Sequence, residues 1–130
     1  WDGKFEFAWD GQTIWLVDAI GPDELRLTLD GIHASKEILR QFYRDTPWYK
    51  HIEKAKTHLA GGDWKQAYLQ QGGSLPPALP GTYRQWTDQL YPALANQCLQ
   101  QSVFNSTAPL SQVLQELHTL LQSHNVGTHA

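Results

Sequence analysis

The chain has no methionine and a single cysteine, Cys98. A lone thiol forms no internal disulfide, which excludes a disulfide-stapled scaffold and fits a reducing cytoplasm. No apolar run approaches the roughly 18 residues that a membrane span needs, and no signal segment precedes the first strand pattern. Positive charge is scarce: ten Lys and Arg stand against thirteen Asp and Glu, for a formal net charge of -3. A broad electrostatic pull on nucleic acid or an anionic membrane is therefore not expected. The six tryptophans have no basic stripe interleaved with them and read as packing anchors, not as a base-stacking platform. His33, His51, His58, His118, His124 and His129 are scattered, and none stands at metal-ligand spacing with Cys98 or an acidic residue. A translated chain begins with Met. With Trp1 already inside a strand-like pattern, the chain reads as the C-terminal part of something longer.

What is present suits one folded domain: 130 residues, 41% hydrophobic and 18% charged. Lys4 to Trp9 alternates polar and apolar as a half-buried strand does. Asp10-Gly11 is a hairpin signal, and Gln12 to Ala19 is the returning strand. A two-residue Asp-Gly turn would put Lys4 and Glu6 on the face of Trp15 and Val17. A three- or five-residue loop would gather Phe5, Phe7, Trp15 and Val17 on one face and Lys4, Glu6 and Asp18 on the other. The second arrangement separates apolar from charged side chains and is the one expected. Gly21-Pro22-Asp23 opens a loop, and Leu25, Leu27 and Leu29 alternate over a short extended segment closed by Asp30-Gly31. Helical pattern follows from Ser35, its expected N-cap, up to Thr46-Pro47. A second helix is expected from Trp48 to Leu59, stopped by Gly61-Gly62, and a short third one from Trp64 to Gln71. Gly72 to Pro80 is a stiff strap. Helix resumes near Gly81, bent or interrupted at Pro92. In Pro109 to His124 the residues Leu110, Val113, Leu114, Leu117, Leu120 and Leu121 recur at helical spacing, so this segment should dock on the core or on a partner. The fold class read from this pattern is α+β: a short antiparallel sheet packed with several helices.

Charge concentrates at the start. Lys4, Glu6 and Asp18 come from neighbouring strand segments. Mg²⁺ takes hard oxygen ligands, often one or two carboxylates plus substrate phosphates, and a nearby lysine supplies a point charge for phosphate. A solvated strand face with one cross-strand ion pair is the plainer use of the same residues. Asp23 and Arg26 stand three apart after the Gly-Pro turn, where an arginine can grip phosphate or carboxylate in two-pronged fashion or pair with Asp23 or Glu24. Arg40 lies on the helix that follows. Cys98 has no evident base beside it and reads as a core residue.

At these residues the chain resembles the SAICAR synthetases (phosphoribosylaminoimidazole-succinocarboxamide synthases) of purine synthesis. Asp2, Lys4, Glu6, Phe7, Asp18, Pro22, Asp23 and Arg26 match the family's Asp-x-Lys-x-Glu-Phe hairpin and the following Pro-Asp-x-x-Arg loop. Ser35-Lys36-Glu37-Ile38-Leu39-Arg40-Gln41 resembles its lysine-and-arginine helix. Pro76-Pro77-Ala78-Leu79-Pro80 resembles its proline strap, and Tyr91 falls where the family has a helical tyrosine. The likeness spans 1–101, taken as the C-terminal part of an ATP-grasp-like domain, and 102–130 reads as an added helical extension.

The resemblance implies a cytoplasmic ligase that joins L-aspartate to the carboxylate of CAIR, using ATP and Mg²⁺, through an acyl phosphate. By position, Glu6 and Asp18 would hold the metal, with Lys4 beside them at the ATP phosphates. Asp2, Asp23, Arg26 and Arg40 would serve the substrate side, and Lys4, Asp23 and Arg26 would be the catalytic set. Two departures stand out: Ala19 replaces a family Glu, and Pro92 falls in a helix that the family runs unbroken. The family's N-terminal half, with its ATP strands and ribotide-phosphate segment, has no counterpart here and is an expected partner, as part of the same parent chain or as a separate one. Self-association is also possible. The rival reading is a non-catalytic interaction module derived from the ligase, with the leucine-rich terminal helix as its contact.

Overall fold

The structure, a computed structural model, describes residues 3–44, 46–58 and 63–127. Its elements are β1 (Phe7–Trp9), β2 (Ile14–Leu16), β3 (Thr28–Leu29), β4 (Ile32–His33), α1 (Glu37–Arg44), α2 (Pro47–His58), α3 (Trp64–Gln70), α4 (Gly81–Leu99) and α5 (Leu110–Gly127). β1 pairs with β2 and β3 with β4, both antiparallel. The expected α+β class is what the described residues form, although the strands make two small hairpins and not one sheet.

The register of the first hairpin differs from expectation. Phe7 faces Leu16, Ala8 faces Trp15 and Trp9 faces Ile14. The connection between the paired ends is Gly11-Gln12, with Gly11 at φ 101°. A glycine at positive φ in the first central position is what one kind of two-residue hairpin turn needs. Asp10 sets this register. Its Oδ1 accepts the backbone N–H groups of Gln12 (2.9 Å) and Thr13 (2.8 Å), and its Oδ2 accepts the Trp15 indole N–H (2.8 Å). Asp10 thus closes the turn from outside and does not occupy its centre. Glu6 lies across from Val17, whose N–H it accepts at 3.0 Å. That is one residue short of Asp18, so a regular ladder would send the two carboxylates to opposite faces.

The second hairpin uses Asp-Gly in the expected way. Asp30 and Gly31 are both at positive φ, 51° and 81°, between the pairs Leu29–Ile32 and Thr28–His33. The extended segment that ends at Leu29 therefore has a returning partner, β4, which the sequence pattern did not reveal. Ala34 N–H then bonds Leu27 O (2.9 Å) and delivers the chain to α1.

Thr46-Pro47 ends one helix and starts the next. Thr46 Oγ1 accepts the Tyr49 N–H (3.2 Å), and Pro47 fills the first helical position, where a missing N–H costs nothing. α3 opens on Asp63, which accepts from Gln66 N–H. It closes on Gly72 at φ 83°, with Gly73 N–H on Tyr68 O and Gly72 N–H on Leu69 O, the paired bonds of a Schellman end. α4 runs through Pro92 without a break. The sequence suggested a bend or interruption there. The ring removes one hydrogen bond, but neighbouring Leu90, Ala93 and Leu94 are all buried, so tertiary packing holds the helix together.

The core is helical. Leu110, Val113, Leu114, Leu117 and Leu121 of α5 pack with Tyr83, Leu90, Ala93 and Leu94 of α4 and with Ile38 and Phe42 of α1. The terminal helix docks on the core, one of the two places expected for it. The α4–α5 connection is pinned by Asn96, which donates to Phe104 O and accepts from Phe104 N–H, and by Gln89, which accepts Ala108 N–H. No helix of the described residues is long and apolar enough to cross a membrane.

Candidate active site

The site is assembled by the approach of three segments. The first residues run antiparallel to the loop after β2. Gly3 bridges to Leu25, and Lys4 N–H bonds Glu24 O at 3.0 Å. A Cβ at Gly3 would lie 2.7 Å from the Leu25 Cδ2, so a larger residue there would require that side chain to shift. The loop is closed on itself: Leu25 and Glu24 N–H both reach Gly21 O (3.2 Å each), and the Glu24 carboxylate takes Gly21 N–H at 3.0 Å. The start of α1 forms the opposite wall. Ser35 is buried at 2% exposure and is the expected cap, with its Oγ 3.5 Å from Glu37 N–H.

Between these walls lies an open cavity of about 340 Å³. Lys4, Asp18, Asp23, Arg26 and Arg40 all line it. These are five of the residues singled out in the sequence. Glu6 is not among the lining residues. It forms an ion pair with Lys4, whose pKa is raised chiefly by that hydrogen bond, with a smaller contribution from Asp18. Lys4 thus stands between the two carboxylates that the sequence placed together. Asp18 accepts the Ala19 N–H at 2.8 Å. The expected direct juxtaposition of Glu6 and Asp18 on one strand face is corrected by the Asp10-set register. Asp2 lies outside the described residues.

Gly3, Glu24, Ser35, Lys36 and Glu37 complete the lining. The signal of the last three was present in the helix-opening Ser35-Lys36-Glu37, but charge spacing alone does not tell a wall residue from a solvated one. Glu37 binds both Arg40 (3.5 Å) and Arg44 (2.5 Å). Asp23 is held by Tyr91 of α4, whose hydroxyl donates to Oδ1 at 2.5 Å. Desolvation first, and the bond to Asp23 second, push the Tyr91 pKa up to about 12. Tyr91 therefore stays a donor at any ordinary pH and ties the loop to the helical body.

As a metal site the cavity is incomplete. No group of three or more His, Cys, Asp or Glu side chains that could hold an ion forms among the described residues. The donor set fits an ion that brings its own phosphate ligands and needs only one or two protein carboxylates. A carboxylate offers about four lone-pair sites, so Asp18 and Asp23 keep acceptor capacity beyond the bonds described.

The described residues thus form an α+β unit whose open cavity presents carboxylates, lysines and arginines together. Compared with known proteins, the chain is 36% identical over 123 residues to an Archaeoglobus fulgidus protein provisionally named phosphoribosylaminoimidazole-succinocarboxamide synthase. The resemblance read from the motifs is borne out. The match covers 93% of this chain and 34% of the relative, so the chain spans about a third of that protein's length. At that coverage the similarity runs past Gln101 into the terminal segment. No family model matches the chain, and no solved structure matches it.

Proposed function

We propose that this chain supplies one wall of the nucleotide–metal site of a SAICAR synthetase-like, ATP-dependent carbon–nitrogen ligase, acting with polypeptide equivalent to the remainder of the relative. The observation that carries the reading is the convergence of Lys4, Asp18, Asp23, Arg26 and Arg40 on one open cavity, together with the named relative. In such a ligase the carboxylate of CAIR takes the terminal phosphoryl group of ATP, ADP leaves, and the amine of L-aspartate displaces phosphate from the acyl phosphate. Phosphoryl transfer asks a protein mainly for positioning and charge neutralisation.

The residues divide accordingly. Asp18, with Asp23 near it in the cavity lining, would hold Mg²⁺ shared with phosphate oxygens. The ion's chemistry is to neutralise charge that builds on the transferred group. Lys4 would leave Glu6 for a phosphate oxygen. Arg26 and Arg40 would grip carboxylate or phosphate. Tyr91 would hold Asp23 in place. An ATP-grasp-like arrangement and a cytoplasmic location belong to the same reading.

The test is Mg²⁺-ATP binding by calorimetry on the whole chain, alone and with the complementary polypeptide. Asp18→Asn and Arg26→Ala are each expected to weaken binding about tenfold, and to abolish aspartate-dependent product in the assembled enzyme. Unchanged binding and turnover in both variants would remove the assignment. A folded chain with no Mg²⁺-ATP response in either setting would favour the interaction-module reading, to which Ala19 in place of the family's Glu already leans.

A further inference from the structure

Arg40 borders two cavities. One is the polar cavity described above. The other has a volume of about 460 Å³ and is walled by aromatic side chains from three helices: Tyr43 of α1, Trp48 and Tyr49 of α2, and Trp64 and Tyr68 of α3. Its volume lies in the range of small-molecule sites. The strap after α3 forms its rim, held by two long-range bonds. The Trp48 indole N–H donates to Ser74 O at 3.0 Å, and the Tyr43 hydroxyl donates to Pro77 O at 2.9 Å. Gly73 passes so close to Tyr68 that a Cβ would lie 2.4 Å from its ring. The aromatic walls are therefore positioned by backbone on the strap side.

The mouth carries positive charge. Lys56 lies over the rings of Tyr49 and Trp64, and Lys65 lies over Trp64, with ammonium-to-centroid distances between 5.5 and 5.9 Å. Arg40 completes the rim. Among the described residues, no Asp or Glu lines the pocket. Glu37 and Glu53 approach Arg40 and Lys56 from outside, while Lys65 has no carboxylate partner among the described residues. Flat apolar walls with a cationic edge complement one kind of ligand: a ring that slides between aromatic faces, with an anionic group at the mouth.

We propose that this pocket binds a planar aromatic molecule bearing a single acidic group, as a site separate from the polar cavity. The inference does not rest on the ligase reading, because none of its aromatic walls lines the polar cavity. Calorimetric titration of the whole chain with three probes tests it: 2-naphthalenesulfonate, neutral 2-naphthylmethanol and cationic 2-naphthylmethylammonium. The sulfonate should bind at least tenfold more tightly than the alcohol, and the ammonium most weakly. Lys65→Glu should cost the sulfonate about tenfold and leave the alcohol within twofold. Trp64→Ala should weaken all three. A double variant of the exposed first hairpin, Phe7→Ser with Trp9→Ser, should change nothing. The proposal is overturned if the three probes bind alike, if none binds, if Trp64→Ala binds as the parent does, or if binding disappears with the hairpin variant.

Discussion

The first hairpin and the helical body both carry many large apolar residues, and they use them in opposite ways. Leu90, Val113 and Leu117 are 0% exposed, whereas Trp9 and Ile14 are 72% and 71% exposed. Phe7, Val17 and Ile20 are also more than half exposed. Hydrophobic residues go inside only where a second apolar face is available to meet them. In the body, the α5 stripe meets α4 and α1. The hairpin turns apolar side chains to both of its faces and packs neither fully. Stability therefore resides in the body, and the hairpin is a wing whose order is local.

The largest expected effect follows directly. Leu117→Ala opens a cavity between α5 and its neighbours and should cost about 2–5 kcal/mol in urea unfolding. Trp9→Ser should change global stability by less than about 0.5 kcal/mol, the range of surface substitutions. Equal costs for the two would show that the wing is part of the cooperative unit.

A finer contrast compares the glycines of the two turns. Gly31 sits at φ 81° in a hairpin packed against the core, and Gly11 sits at φ 101° in the wing. An alanine Cβ would meet nothing within 4 Å at either position, so backbone conformation is the whole cost. Gly31→Ala should destabilise the fold by about 1–2 kcal/mol. The same strain from Gly11→Ala should be released by local opening of the wing, leaving the global midpoint nearly unchanged. Hydrogen exchange at Thr13 and Val17 would detect that opening. A large global loss from Gly11→Ala would contradict the division.

These two turns also show how far the sequence was legible. Helix positions, the Ser35 cap and the α5 stripe could be read because amphipathic period and capping chemistry are local. The lining roles of Lys4, Asp18, Asp23, Arg26 and Arg40 could be read because mixed charge around turns is unusual and matched a known pattern. The hairpin register could not. Two of the Asp-Gly pairs stand at hairpins: at 30–31 the pair forms the turn, while at 10–11 the aspartate acts as an outside brace. What decides is the Asp10–Trp15 bond, five residues apart, which no dipeptide rule contains. That slip carried Glu6 away from Asp18. The aromatic pocket was equally hidden, since its walls come from three helices and each tryptophan alone reads as an ordinary anchor.

The brace itself gives the smallest and most local prediction. The Trp15 indole bond first, then the N–H groups of Thr13 and Gln12, hold the Asp10 pKa at about 2, below its ordinary 3.8. A depressed carboxylate favours the folded turn in full above its unfolded pKa, and that support fades as pH falls from about 4 through about 2. Asp10 is wholly exposed, so the effect belongs to the wing and not to the global fold. Over that interval the Trp15 indole N–H resonance should move with a midpoint near 2, while core resonances of α4 and α5 stay fixed. Trp15→Phe removes the largest contribution and should return the Asp10 midpoint toward its ordinary value. A midpoint already at 3.8 in the parent would mean that the brace does not form, and the register, with the separation of Glu6 from Asp18 that depends on it, would have to be drawn again.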